Sequence, residues 1–258
     1  MSASTETDLV RISADTGVME IVWNRPDKKN ALSNAMYRAA TAALARAAED
    51  RSIRVVLLAS EGDSFTSGND LADFASAAAG GEPPAAGAFI EAIAQFPKPL
   101  VAAVPGLAVG VGTTMLFHCD LVFVASDAKL TTPFVNLGLV PEAASSMLIP
   151  DRIGYARAFA MFALGDGLTG AQAAQLGVAN AALPQGEVLA AAREAARKLA
   201  QRPPGAVMAT KKLMRDGETI LAQLRTEGKV FGERLKTAEA MEAFMAFQQK
   251  RAPDFSKF

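Results

Sequence analysis

The 258-residue chain contains one cysteine, one histidine and one tryptophan, and the first two scarcities each remove a class of chemistry. With Cys119 alone, no internal disulfide can form and a cysteine-based zinc site is excluded. With His118 alone, a histidine-rich metal site and a relay between two histidines are excluded as well. The two residues are adjacent in an apolar run, where both are expected to be core, free cysteine being among the most buried residue types. Long apolar runs are also missing. Although 50% of the residues are hydrophobic, no stretch supplies the roughly 18 uninterrupted apolar residues of a membrane span, so a soluble protein is expected. Excess charge is absent too: a formal net charge of -1 gives no electrostatic reason to expect nucleic acid or an anionic membrane as partner, since such partners normally draw a basic face or tail, although it leaves room for local basic clusters. Residues 1–8, M-S-A-S-T-E-T-D, lack the apolar core of a secretory signal and the arginines of a transit peptide, and a cytoplasmic location is expected.

What is present reads as an α/β chain long enough to bury a substantial core. Residues 9–12 and 18–23 form a hairpin around Ala14-Asp15-Thr16-Gly17, and apolar residues at helical spacing follow over 31–49. Residues 54–59 and 99–104 are buried strands. A helix opens at the glycines 110 and 112 and reaches about His118, and 121–125 returns as a strand. Strand, glycine-bearing turn and helix recur, which argues layered sheets rather than a bundle. After residue 151 the pattern becomes helical, over 155–164, 170–176, 187–201, 205–214 and 219–248, with only 178–183 extended. An Ala-rich helical tail of this kind is often used for self-association. Residues 77–87, rich in Ala, Gly and Pro, are the best candidate for a mobile lid.

Two glycine-bearing loops, Ser67-Gly68-Asn69 and Gly110-Val111-Gly112, each leave a strand and precede a helix. If they face one another, the N–H groups of Asn69 and Val111 can hold a carbonyl oxygen as it gains negative charge. The plainer explanation is that the glycines serve tight turns and close packing. Gly110-Val111-Gly112 is neither a dinucleotide fingerprint nor a Walker loop, and Ser145 and Ser146 lack the setting of a hydrolase nucleophile. The remaining acid of interest is Glu142, in the stretch 132–150. Pro141 suits the first turn of a helix, which would put one carboxylate at a helix N-terminus among Phe134, Val135, Leu137, Leu139 and Val140. A glutamate there is favourable with the macrodipole and needs no function. Desolvation among those apolar neighbours would equally raise its pKa into the range useful to a general base.

Asn24-Arg25-Pro26 with Asn30-Ala31-Leu32, Phe65 to Leu71, Gly106 to Gly112, Cys119-Asp120 and the run from Pro133 to Pro150, in that order, resemble the crotonase (enoyl-CoA hydratase/isomerase) superfamily along nearly the whole chain. The resemblance implies a spiral of strand-strand-helix units with a helical C-terminal part, trimers or paired trimers, and acyl-CoA thioesters as ligands. It divides the chain into an acyl-CoA-binding core, 1–200, and a helical oligomerisation region, 201–258. It sets the oxyanion N–H groups on Asn69 and Val111 and the CoA moiety along Lys28, Lys29 and Ser67, Gly68, Asn69, Asp70 and Leu71, with Gly110 and Phe134 also substrate-binding. Lys250 or Arg251 joins the lysines near the CoA phosphates. No metal or redox cofactor is implied, coenzyme A being part of the substrate.

Typical hydratases of the superfamily carry two glutamates at the places of Thr114 and Phe134, and both are missing here. Pro141-Glu142-Ala143-Ala144-Ser145-Ser146 instead resembles the peroxisomal-type Δ3,Δ2-enoyl-CoA isomerases, where one glutamate is the acid-base residue. The expectation is therefore an isomerase with Glu142 as base. The alternatives are a hydratase in which Glu142 alone manages the water, and an acyl-CoA-binding protein without turnover.

Overall fold

The computed structural model describes residues 9–70, 73, 82 and 84–258. In chain order the strands are β1 (Val10–Asp15), β2 (Val18–Trp23), β3 (Val55–Ser60), β4 (Ser64–Thr66), β5 (Leu100–Val104), β6 (Leu107–Val109), β7 (Leu121–Ala125), β8 (Lys129–Thr131), β9 (Leu168–Thr169) and β10 (Ala181–Leu183). The helices are α1 (Asn34–Glu49), α2 (Ala86–Gln95), α3 (Val111–Thr114), α4 (Ser145–Ile153), α5 (Tyr155–Phe159), α6 (Gly170–Gln175), α7 (Gln185–Ala200), α8 (Pro204–Met214), α9 (Gly217–Arg234) and α10 (Ala238–Gln248).

One sheet runs β1-β2-β3-β5-β7-β10 and a smaller one β4-β6-β8-β9. The β1-β2 hairpin is antiparallel, and β2, β3, β5, β7 and β10 then follow in parallel. β3 and β5 are apolar on both faces, as parallel strands covered on two sides must be. Each spiral turn sends one strand to the large sheet and the next, short one to the small sheet: β3 to β4, β5 to β6, β7 to β8. The strand-strand-helix spiral is thus the observed fold. α1 closes the first turn. Ser33 accepts the N–H of Met36 at its start, and Met36, Tyr37, Ala40, Ala43, Leu44 and Ala47 make one buried stripe at helical spacing. Trp23, Tyr37 and Phe89 meet edge-on or tilted in the core beneath it. His118 and Cys119 are buried, as expected.

Several expectations need correction. The single helix expected over 219–248 is two, α9 and α10, because Thr237 caps a new start by accepting the Ala240 N–H. β9 turns back antiparallel on β8; at two residues it is too short for an alternating pattern. Of the expected lid at 77–87, residues 77–81 and 83 lie outside the described residues, while Ala86 and Gly87 open α2. Among the described residues no helix is long and apolar enough to cross a membrane.

Candidate active site

The ends of β4, β6 and β8 deliver three loops to one place. The first is anchored by Asn30, fully buried with a left-handed φ of 54°. Its amide donates to the carbonyls of Glu61 and Ser64, and its Oδ1 accepts from Arg25 N. Beyond β4, Gly68 has φ 92°, which a side chain would strain. The Leu32 N–H donates to Gly68 O at 2.8 Å and the Asp70 N–H to Leu32 O at 2.9 Å, a one-residue parallel bridge. Pairing of the residues on either side leaves the Asn69 N–H facing away from that bridge. Its side-chain Oδ1 accepts from the Tyr37 hydroxyl at 2.5 Å.

The second loop turns at Gly110, φ 56° and ψ -119°, whose N–H is held by Thr131 O at 2.9 Å. Thr113 and Thr114 N–H then close onto Gly110 O. Val111, the first residue of α3, has no acceptor within its helix, as first-turn amides do not. Among the described residues neither the Asn69 nor the Val111 N–H has a backbone acceptor. Both residues line one cavity of about 760 Å3. The two glycine loops do face one another.

The same cavity is lined by Lys28, Ser67, Gly68, Asp70, Gly110 and Phe134, and from the C-terminal helices by Phe231, Phe244, Phe247 and Arg251. Lys29 and Lys250 are not among its lining residues. Lys29 ends the 3-10 turn Pro26–Lys28, and its carbonyl accepts from Ser67 N at 2.9 Å. Leu71 lies outside the described residues. Asp70 is paired with Arg25 at 2.5 Å and Arg251 with Glu242 at 2.5 Å, so of the three basic side chains at the cavity two are already opposed by a carboxylate.

The third loop carries Glu142, and here the expectation fails in an informative way. α4 starts at Ser145, not at Pro141, so Glu142 precedes the helix and is no first-turn acid. Ala143 and Ala144 both take left-handed backbone, φ 61° and 54°, a conformation that costs roughly 1–2 kcal/mol per L-residue. The Ser145 N–H donates to Glu142 O at 3.1 Å. The macrodipole explanation for Glu142 therefore loses its geometry.

The carboxylate is tied to the second loop, where Thr114 Oγ1 donates to Glu142 Oε1 at 2.6 Å. Glu142 does not itself line the cavity. It joins the site through α3, whose first residue, Val111, does line the cavity and whose last, Thr114, holds the carboxylate. Burial pushes the Glu142 pKa up to about 7; the Thr114 hydrogen bond pulls it down and the charge of Glu227 adds to the rise. The Tyr37 hydroxyl is pushed well up, by burial first and then by the charge of Glu142. Thr114 as holder, Tyr37, Arg25 and Glu227 were not readable as site residues, since each meets its partner across 28 or more residues with no local pattern to mark it. The assembled chemistry is a pair of open amide donors and a half-buried carboxylate that changes protonation near neutrality, which suits removal of a proton beside a carbonyl group.

The sequence pattern described as enoyl-CoA hydratase/isomerase matches residues 13–257. Rat enoyl-CoA delta isomerase 2 is 33% identical over 254 residues, 95% of this chain and 65% of that protein, so the chain spans about two thirds of that relative's length. The 2,3-dehydroadipyl-CoA hydratase of Escherichia coli K12 is 32% identical over 250 residues, 95% of this chain and 97% of that one. The crystal structure of an enoyl-CoA hydratase/isomerase from Pseudoalteromonas atlantica T6c superposes with a TM-score of 0.91 at 38% identity, covering 96% of this chain and 100% of the other. With the pattern matched over almost its full length and the spiral shared, the chain belongs to the enoyl-CoA hydratase/isomerase family, the crotonase superfamily of enzymes.

Proposed function

We propose that the protein is an acyl-CoA isomerase that shifts a double bond from C3 to C2 of an enoyl-CoA thioester, with Glu142 as its one acid-base residue. The observation that carries this reading is the Thr114–Glu142 hydrogen bond, which sets a carboxylate titrating near 7 where Thr114 and Phe134 leave no glutamates of the hydratase kind. The ionised carboxylate takes a proton from C2, and the electron pair passes into the thioester, whose oxygen becomes negative. The Asn69 and Val111 N–H groups receive that charge. The same proton is then returned at C4, leaving the double bond between C2 and C3. Moving a double bond needs one group to lift and return one proton, whereas adding water is helped by a second group. Base assistance of this kind is worth about 10²- to 10⁴-fold, and a fixed amide donor about 10²- to 10³-fold.

In this reading the acyl-CoA occupies the cavity along Lys28, Ser67, Gly68, Asn69, Asp70, Gly110 and Phe134, with Arg251 at its C-terminal side. Coenzyme A is part of the substrate and the mechanism calls on no metal or redox cofactor. The protein works as a cytoplasmic homotrimer or hexamer. The hydratase name of the Escherichia coli relative supports a second reading, in which Glu142 alone activates water. Incubation of the pure protein with 3-enoyl and 2-enoyl thioesters, read by product identity, separates the two. Conversion of 3-enoyl-CoA to the 2-enoyl isomer is expected; 3-hydroxyacyl-CoA from a 2-enoyl ester as the main product overturns it, and binding without product marks a non-catalytic acyl-CoA binder.

A further inference from the structure

The bonds that fix the loop carrying Glu142 from outside come from residues distant in the chain. On one side, His118 Nε2 lies 2.8 Å from Ala143 O. The other ring nitrogen, Nδ1, lies 2.5 Å from Arg215 Nη2, and Arg215 Nη1 donates to His118 O at 3.0 Å. A guanidinium has only donors, so Nδ1 must accept, the single ring proton sits on Nε2, and Nε2–H donates to the Ala143 carbonyl. On the other side, Glu227 of α9 accepts from both the backbone N–H and the hydroxyl of Ser146. Between these two anchors stand the left-handed alanines 143 and 144, both buried. Such backbone persists only where the surroundings over-determine it, and the C-terminal region supplies that constraint through the buried Glu227 directly and the half-buried Arg215 by way of His118.

We propose that His118, set in its Nε2–H form by Arg215, is a positioning residue for Glu142: its bond to the Ala143 carbonyl holds the strained loop so that the carboxylate meets Thr114 and the substrate, while Glu227 holds the loop's far end. The proposal rests on the reading of Glu142 as the base. Burial and the nearby Arg215 charge hold the His118 pKa down at about 3, so the ring keeps one proton, on one nitrogen, throughout the working pH range. His118 itself moves no proton. Its effect is geometric, and a base displaced by about 1 Å loses on the order of 10²-fold in rate.

Two substitutions divide the ring's two bonds. His118→Gln keeps an N–H at the place of Nε2; His118→Asn keeps an acceptor at the place of Nδ1 and drops the donor to Ala143. Each is assayed on a 3-enoyl-CoA beside Glu142→Gln, with KM, melting temperature and amide hydrogen exchange over residues 142–148. His118→Asn is expected to lower kcat by about 10- to 100-fold with KM within about twofold and faster exchange of the loop, and His118→Gln to restore kcat to within about threefold. If His118→Asn does not fold, Arg215→Met carries the test: the Ala143 carbonyl still selects the Nε2–H form, but the bonds that hold the ring and the His118 backbone in place are lost, and a smaller fall in kcat with faster exchange over residues 142–148 is expected. Equal losses in the Gln and Asn variants, or a lowered melting temperature with unchanged kcat, overturn the proposal. A Glu142→Gln enzyme with wild-type kcat overturns the base reading instead, and the exchange data then still decide whether His118 holds the loop.

Discussion

The hydroxyl of Thr114, buried in the short helix α3, donates a 2.6 Å hydrogen bond to the carboxylate of Glu142, 28 residues later in the chain. One element therefore serves both halves of the site, with Val111 presenting an amide at its start and Thr114 orienting the acid at its end.

Glu142→Gln should lower turnover of a 3-enoyl-CoA by roughly 10²- to 10⁴-fold while leaving acyl-CoA affinity nearly unchanged, because the amide keeps size and acceptor but takes no proton. The same variant should be more stable than the wild type above pH 7. The folded-state pKa of about 7 lies above the ordinary 4.5, so between those values the native state binds more protons than the unfolded one, and stability falls as pH rises through that window. Ionising the half-buried group therefore costs stability above pH 7, on the order of a few kcal/mol. Thermal melts of both proteins at pH 5 and pH 8 check this; a difference that does not grow with pH refutes it.

Thr114→Val removes a bond that favours the ionised form of Glu142. Hydrogen bonds to charged groups contribute about 1.5–3 kcal/mol, so the pKa should rise by about one unit or more. In the proposed mechanism the base works deprotonated. The rising limb of kcat/KM against pH, expected near 7 in the wild type, should move to higher pH, and the variant should lose more activity at pH 6 than at pH 9. A parallel loss at every pH would mean that Thr114 orients the carboxylate without tuning it.

Lys28 lines the cavity and Lys29 does not. Reversal of charge at Lys28 is expected to weaken binding of a CoA ester at low salt, by up to about tenfold for one partly exposed contact, and reversal at Lys29 to do less. Titration of both variants at two salt concentrations checks the order. Equal effects, or none at either position, would remove the CoA phosphates from this rim.

α8 contains no buried residue, and Leu213 and Met214 are 89% and 82% exposed at its end. Tyr155, at 73%, adds to the uncovered apolar surface. Exposed apolar area of this extent is characteristic of an interface. Sedimentation at micromolar concentration should give a trimer or hexamer, and Leu213→Glu with Met214→Glu should shift it toward monomer. A stable wild-type monomer would end the assignment of 201–258 as an oligomerisation region.

By itself the sequence determined the order of the main strands and helices, from the hairpin at β1 and β2 through α1, β3, β5 and β7, since hydrophobic periodicity and glycine turns act over a few residues and are written in local order. It also determined the family, and it singled out Glu142, Asn69 and Val111 because those residues stand in short, ordered motifs. The tertiary structure alone decided how they are placed. Helix α4 starts at Ser145 and not at Pro141, because the N–H of Ser146 is taken by Glu227 across 81 residues and the Ala143 carbonyl by His118 across 25. Those bonds impose left-handed backbone on two alanines that local preference would make helical. The raised pKa of Glu142 has the same origin: desolvation and the charge of Glu227 are properties of the packed interior, and no run of neighbouring residues encodes them.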